Sequence, residues 1–365
     1  MSTLFSPFAL GPLTLENRVV IPPMCQYSAK SGQANDWHLA HYGTLALSGA
    51  GLLIIEATAV TPEGRISFAD LGLWSDECAS ALSRVLAFIR ANSPIRVAVQ
   101  LAHAGRKGSC DLPWKGGASI PSGDPDGWTT LAPSPLCFAP GDEPPQTLDE
   151  TGLRRLREAF ALAGLRAASL GVDCVELHCA HGYLLHEFLS PLANQRTDDY
   201  GGSLDNRMRL PLQVFQAMRA VLPVHIPLGV RISATDWVTG GWDEEQSVAF
   251  ARRLGELGAA YIHVSSGGLA PEQKIPVGPG YQLPLAQRIK AETGLPVIAV
   301  GLVTEPKQAE NIIASNQADL VALGRAMLYN PRWAWHAAAE LGAQVYAPPQ
   351  YLRCQPHGLK HLFRD

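Results

Sequence analysis

Eight short apolar runs recur along this chain, and nearly every one is followed by a longer stretch of mixed apolar and polar spacing. The runs are Val19–Pro22, Leu52–Ala57, Arg96–Leu101, Val172–His178, Leu228–Ile232, Tyr261–Ser265, Val297–Val300 and Leu320–Leu323. Most of them do not alternate polar with apolar, the pattern of a strand covered on both faces. The helix-like stretches are Leu39–Ser48, Glu77–Ala91, Asp149–Leu170, Leu204–Val221, Glu244–Leu257, Leu283–Glu292, Pro306–Ala314 and Arg332–Glu340. The Gly-Ala-Gly at 49–51 reads as a helix stop, and Gly171, Gly258 and Gly294 play the same part. Strands alternating with helices predict a parallel sheet, doubly wound or closed. The count of eight, and the lack of a G-x-G-x-x-G after the first strand, favour closure into a single (β/α)8 barrel (a TIM barrel). Polar and glycine residues gather just after the strand C-termini, where such barrels carry their sites. The longest interruption, Gly105–Leu148, is rich in Pro, Gly and Trp. It predicts an excursion over the barrel mouth with a hairpin of its own. With no linker or internal repeat, the expected organisation is one barrel domain over residues 1–342 and an extended C-terminal tail over 343–365.

Composition narrows the function classes. Of 365 residues, 47% are hydrophobic and 17% charged, as in ordinary globular proteins. The net charge of −4 comes without a run of like charges, so the concentrated basic face of a nucleic-acid binder is missing. No apolar segment approaches 18 residues, and Gly51–Val60 is too short to span a bilayer. The opening stretch lacks a basic region followed by an apolar one, so no secretory signal is expected. The seven cysteines (Cys25, Cys78, Cys110, Cys137, Cys174, Cys179 and Cys354) are scattered and include no C-x-x-C. Neither a disulfide framework nor a structural zinc site is expected, and the cytoplasm is the default compartment.

Four clusters carry chemistry. His178-Cys179-Ala180-His181-Gly182-Tyr183 directly follows the fourth strand. If the chain turns helical after Ala180, residues three apart share a face, and two imidazoles converge at the barrel mouth beside a phenol. Two N–H donors suit an oxygen gaining negative charge, and a phenol suits a proton donor. The same six residues are also compatible with satisfied polar groups in a loop. A metal reading lacks a carboxylate at ligand spacing. Pro22-Pro23-Met24-Cys25-Gln26-Tyr27 ends the first strand and sets a thiol beside an aromatic hydroxyl, though a lone Cys is usually a small buried hydrophobe. Gln100 ends the third strand and precedes His103-Ala104-Gly105-Arg106-Lys107. Its amide, donor and acceptor at once, suits the edge of a flavin pyrimidine ring as well as it suits capping a loop. Arg231 ends the fifth strand, and a buried cation there needs an anionic or polar partner. Finally, Gly301 follows the seventh strand and Gly324-Arg325 the eighth, the usual phosphate loops of these barrels. Arg325 adds the possibility of a bidentate contact.

These motifs, in this order, resemble the old yellow enzyme family, and within it the cysteine-containing branch of xenobiotic reductases and thermophilic-like ene-reductases. The resemblance rests on L-E-N-R at Leu15–Arg18, P-P-M-C-Q-Y at 22–27, A-H-A-G-R-K, H-x-x-H-G-Y, R-T-D-D-Y-G-G-S-L-D-N-R at Arg196–Arg207, V-G-L-V-T and L-G-R-A. It runs from about Leu4 to Tyr351. It implies an FMN-dependent ene-reductase: NADPH or NADH reduces FMN, which passes hydride to Cβ of an α,β-unsaturated carbonyl or nitro compound. By the same resemblance Pro23, Met24, Cys25, Ala57, Gln100 and Arg231 surround the isoalloxazine and ribityl chain. Cys25 also tunes its redox behaviour. Gly301, Gly324 and Arg325 hold the phosphate. His178 and His181 bind the substrate's activating oxygen, Tyr183 protonates Cα, and Tyr27 contacts substrate. The Q-Y-x-R at Gln350–Arg353 resembles a C-terminus whose arginine enters a neighbouring active site, implying a homodimer or homotetramer with Arg353 in the partner's substrate pocket. The chain has His at the second donor position, where other branches carry Asn, and Leu302 where some xenobiotic reductases place Trp. Two alternatives stand beside this reading. A dienoyl-CoA-reductase-like flavoenzyme resembles longer chains with clustered cysteines. A metal-dependent barrel hydrolase would use His178 and His181 as ligands.

Overall fold

A computed structural model describes residues 2–364. Eight parallel strands close into a barrel in sequence order: β1 (Val19–Ile21), β2 (Leu52–Ala59), β3 (Arg96–Ala102), β4 (Cys174–Cys179), β5 (Leu228–Ser233), β6 (Ile262–Ser265), β7 (Val297–Val300) and β8 (Leu320–Ala322). Closure is made where Val321 and Ala322 of β8 pair with Val19 and Val20 of β1. The helices between them are α1 (Asp36–Ala46), α2 (Asp76–Asn92), α3 (Glu150–Ser169), α4 (Leu204–Val221), α5 (Glu244–Glu256), α6 (Leu283–Thr293), α7 (Pro306–Ala314) and α8 (Trp333–Glu340). The expected (β/α)8 barrel is therefore the fold, with all eight strands and helices in their expected places. Among the described residues no helix is long and apolar enough to cross a membrane.

Side chains alternate across each strand, and this sorts the core into two layers. Val19, Ile21, Leu53, Ile55, Val97, Val99, Val175, Leu177, Val230 and Ile232 face the helices in one large apolar cluster. Val20, Leu52, Ile54, Ala98, Cys174, Ile298, Leu320 and Ala322 fill the barrel interior. Helix starts are fixed by side-chain caps: Asn35, Ser75, Asp149, Ser203 and Asp243 each accept a backbone N–H from the first turn. The reading of α1 began three residues late because its capping box, Asn35 with His38, lies before the apolar spacing. Gly49, Gly171, Gly258 and Gly294 all have positive φ, as helix stops require.

Three features went unread. An antiparallel hairpin, Phe8–Leu10 with Leu13–Leu15, floors the barrel, and Leu10, Leu13 and Leu15 join the interior cluster. A β-bulge in β2 makes Glu56 the extra residue: Ile55 pairs with Val99 but Ala57 pairs with Gln100. The bulge brings Ala57 level with Gln100 at the mouth and turns the Glu56 carboxylate toward α1, where it accepts the Tyr42 hydroxyl at 2.8 Å. The excursion closes not with a hairpin but with a short parallel ladder, Leu131–Ala132 against Gln146–Thr147. The proline-rich loop 133–145 is too long for the two-residue turn of a hairpin.

Beyond residue 342 the chain remains anchored. Val345 and Ala347 are fully buried, and Val345–Tyr346 pairs with Phe363–Arg364. Between them Pro349–Cys354 forms a 3₁₀ helix rather than an extended segment.

The hairpin floor yields a stability prediction. Leu10 has no solvent exposure, and truncating such a leucine leaves a cavity that costs about 2–5 kcal/mol. Leu10→Ala should lower the chemical-denaturation midpoint accordingly. A midpoint equal to the parent's would show that the floor contributes nothing.

Candidate active site

The C-terminal ends of β1, β3, β4, β5 and β6 gather the titratable groups. His178 ends the inward face of β4 and is almost fully buried. The expected helical turn does not follow it. His181 adopts a left-handed backbone, φ 61°, and Gly182 another, φ 74°; the short helix Leu184–Leu189 starts only after Tyr183. This double reversal brings the rings together: those of His178 and His181 lie 5.1 Å apart, and those of His178 and Tyr183 also 5.1 Å apart. The turn is held by side chains. Ala180 N–H donates to His178 Nδ1 at 3.1 Å, His181 N–H to Ser233 Oγ at 2.9 Å, and Gly182 N–H to His186 Nδ1 at 2.9 Å. His186 in turn faces the buried Asp236 at 2.9 Å. Lys107 Nζ donates to the carbonyls of His181 (2.9 Å) and Gly268 (2.7 Å) and sits 5.2 Å from the centre of the Tyr183 ring.

The hydrogen bonds assign ring nitrogens. His178 accepts at Nδ1, so its proton sits on Nε2. His181 Nε2 lies 2.8 Å from Ser265 Oγ, so Nδ1 is its nitrogen without a protein partner among the described residues. Both imidazoles are held neutral: burial, then the nearby Arg231 cation, pushes each well below the ordinary range. Burial likewise raises the Tyr183 phenol and the Cys25 thiol, so both keep their protons at neutral pH. Lys107 is pulled down to about 8, again by burial. Tyr27 and Tyr183, with Lys107, Cys110, Pro113 and Phe138 from the excursion, line a cavity of about 440 Å³. A depression of about 530 Å³ lies among Lys290, Asn316 and Asp319, at the opposite end of the barrel, so volume alone does not pick the site. Among the described residues no three His, Cys, Asp or Glu side chains converge as metal ligands.

A second group of residues forms a polar floor inside the barrel mouth. Gln100 is buried and donates to Glu176 at 2.8 Å. Arg231 pairs in register with His178 and His263 on its neighbouring strands. It is buried, and its Nε has no hydrogen-bond partner among the described residues. A buried guanidinium without a partner marks a place for an acceptor outside the chain. Gly301, at φ 136°, needs glycine for its backbone. Gly324 does not: a Cβ there would meet only Met24 and Pro22, both at 3.6 Å. The fold leaves room at Gly324 that its own packing does not use. The first N–H groups of the helix Arg325–Tyr329 lack acceptors within the helix, and Arg325 is exposed beside them. These donors, the orphaned Arg231 and the amide of Gln100 fit a phosphate joined to a flat heterocycle. The Met24 sulfur lies 3.6 Å from where a Cβ on Gly324 would stand, which places the loop of Pro23 and Cys25 in the same region.

The structure thus places Tyr27 and Tyr183 on the cavity, His178 and His181 beside Tyr183, and Ala57, Gln100, Arg231, Gly301, Gly324 and Arg325 around the mouth. Arg353 stays apart, exposed on the 3₁₀ helix and outside this chain's own cavity. Lys107, Ser233, Ser265 and His186 were not singled out as site residues. Only Lys107 had a signal, its place in A-H-A-G-R-K.

Comparison with known proteins agrees with this geometry. Residues 3–344 match the NADH:flavin oxidoreductase / NADH oxidase family model, and the chain belongs to that family. It is 41% identical over 354 residues to an NADPH dehydrogenase of Geobacillus thermodenitrificans, covering 96% of this chain and 98% of that protein. It is also 41% identical over 355 residues to an NADPH dehydrogenase of Listeria monocytogenes, covering 97% and 99%. Among solved structures, morphinone reductase superposes with a TM-score of 0.78 at 28% identity, over 100% of this chain and 97% of that one. This chain is accordingly an FMN-dependent oxidoreductase of the old yellow enzyme type.

The left-handed turn supplies a test of how the histidine pair is held. A Cβ on Gly182 would lie 2.1 Å from the Gly268 carbonyl oxygen, and left-handed strain alone costs about 1–3 kcal/mol. Gly182→Ala should lose at least that much stability in chemical denaturation. An alanine variant as stable as the parent would mean the turn is not built on this contact.

Proposed function

We propose that this chain reduces activated alkenes, with His178 and His181 as the oxygen-binding pair and Tyr183 as the proton donor. The observation that carries the reading is the convergence of two neutral imidazoles and a protonated phenol at the barrel mouth, with the phenol on the cavity, beside an orphaned arginine. Bound FMN supplies the hydride, taken from NADPH or NADH and delivered to Cβ of an α,β-unsaturated carbonyl or nitro compound. The residues do the rest. His178 donates from Nε2 to the substrate oxygen. In the tautomer in which the Ser265 hydroxyl donates to its Nε2, His181 carries its own proton on Nδ1 and donates from there. Two such donors stabilise the negative charge that builds on the oxygen as Cβ is attacked. Tyr183, placed at right angles to the His178 ring, gives its proton to Cα. Tyr27 and the excursion close over the substrate and exclude water. Pro23, Met24, Cys25, Ala57, Gln100 and Arg231 hold the flavin ring, and Gly301, Gly324 and Arg325 its phosphate. The seven cysteines, all unpaired, suit a reducing cytoplasm, where NAD(P)H is at hand.

Anaerobic stopped-flow measurement separates the two halves of the cycle. The purified protein should be yellow, with about one FMN per chain. Tyr183→Phe should leave flavin reduction by NADPH close to the parent rate. It should slow reoxidation by a cyclic enone by about 10²–10⁴-fold, the usual contribution of a positioned acid. Equal effects on both halves would remove Tyr183 from the role, and a colourless protein that takes up no added FMN would remove the flavin.

The tail supports a homodimer or a dimer of such dimers. Tyr351 packs 6.0 Å from Trp335 and anchors the 3₁₀ helix, yet Tyr351 and Leu352 stay 41% and 38% exposed. Arg353 follows them, free of its own cavity. Closed symmetric pairs are the commonest assemblies, and in one Arg353 completes the neighbour's substrate pocket. Truncation after Pro349 should weaken enone affinity and reduce the size of the particle in solution. Full affinity after truncation, with a monomeric parent, would refute the shared site.

A further inference from the structure

We infer that Glu176, on the inward face of β4 beneath His178, is a positioning residue that fixes the donor–acceptor polarity of the flavin site and holds the potential of the bound flavin down. The inference rests on the flavin reading above. Glu176 has no solvent exposure, and three groups meet its carboxyl. Gln100 Nε2 donates to Oε1 at 2.8 Å, and His263 Nδ1 (2.9 Å) and Tyr261 OH (3.2 Å) meet Oε2. Burial alone would raise its pKa, but the His263 Nδ1 hydrogen bond, the Arg231 cation and the Gln100 amide outweigh burial and keep it below the ordinary carboxylate range. An ionised carboxylate can only accept. Gln100 is therefore obliged to turn its NH₂ inward to Glu176, and its carbonyl oxygen is the acceptor left for a ligand. That oxygen suits a ring edge presenting an N–H.

Charge makes the second half of the argument. The ionisable groups that act on Arg231 are Glu176, Cys25, Tyr183 and Tyr261. Burial keeps the last three in their neutral forms, and His263 is kept neutral by burial as well. Glu176 is thus the ionised counter-charge to Arg231, and the pair is close to electrically balanced. Two-electron reduction adds negative charge to an isoalloxazine. Arg231 favours that charge and Glu176 opposes it, in a dry interior where such terms are strong. Without Glu176 the cation would act unopposed.

Two near-isosteric variants of the holoenzyme test this by dye-equilibration titration at neutral pH. Glu176→Gln removes the anion and should raise the midpoint potential of bound FMN. Tyr261→Phe removes one donor from the carboxylate, leaves its charge less satisfied, and should lower the potential. Opposite shifts are the signature, because a merely structural disturbance has no reason to change sign between two residues of one network. A potential that is unchanged or lowered in Glu176→Gln overturns the inference. Where Glu176→Gln does not accumulate as folded protein, Tyr261→Phe decides, and a potential equal to or above the parent's overturns it. Absence of FMN from the parent protein would instead defeat the flavin reading, an outcome visible in the absorbance spectrum before any titration.

Discussion

The pairing of β8 with β1 is the constraint from which the rest of the structure follows. Once the last strand hydrogen-bonds to the first, the sheet has no edge and every strand has an inside and an outside. Strict alternation then decides where each side chain goes. In β4, for instance, Cys174, Glu176 and His178 point inward at successive levels, while Val175, Leu177 and Cys179 meet the helices. The inner column passes from apolar floor to ionised middle to imidazole rim within five residues. The apolar lower levels, sealed by Leu10, Leu13 and Leu15, keep water from entering below. The polar upper levels are left to face whatever binds at the mouth.

Polar groups buried at that depth are tolerated where they satisfy one another. Gln100, Glu176, Tyr261 and His263 form one such set, and Ser233, Ser265, His186 and Asp236 help to brace the turn that carries His181. Among the described residues the exceptions include His103 Nε2, His263 Nε2 and Glu187 Oε2 as well as Arg231 Nε, and those at the mouth are informative. Arg231 Nε lacks a partner, and the free nitrogens of His178 and His181 point to no protein acceptor. In a well-satisfied interior, unsatisfied groups gathered at one end are where a ligand completes the count. Lys107 works differently. It bridges two carbonyls on separate loops, and so fixes the distance between the histidine turn and the loop after β6.

The barrel and its eight helices were legible in the chain because buried strands and capped helices leave strong local signals. Leu204–Val221 and Pro306–Ala314 were read to the residue. The hairpin Phe8–Leu15 was missed because three-residue strands are too short for any periodicity to register. The bulge at Glu56 was invisible because nothing in Ile-Ile-Glu-Ala announces an extra residue. At the site, residue types were legible and geometry was not. His178, His181 and Tyr183 were recognised as a set, but through a helical turn the chain does not make. The reversal depends on Gly182 lying against Gly268, two glycines far apart in sequence. Ser265 and His186 act only through contacts made on folding, so no local motif could mark them.

The floor hairpin also governs the order in which this molecule can assemble. Its leucines are made well before Ile298, Leu320 and Ala322, which belong to the interior they seal. Until the eighth strand is available the apolar hairpin has no completed surface on which to settle. Docking and ring closure are therefore late events, spanning nearly the whole chain. Folds dominated by such distant pairings form slowly and expose apolar surface while they do so. A newly made chain must keep Leu10, Leu13 and Leu15 from other partners until Leu320 and Ala322 are in place.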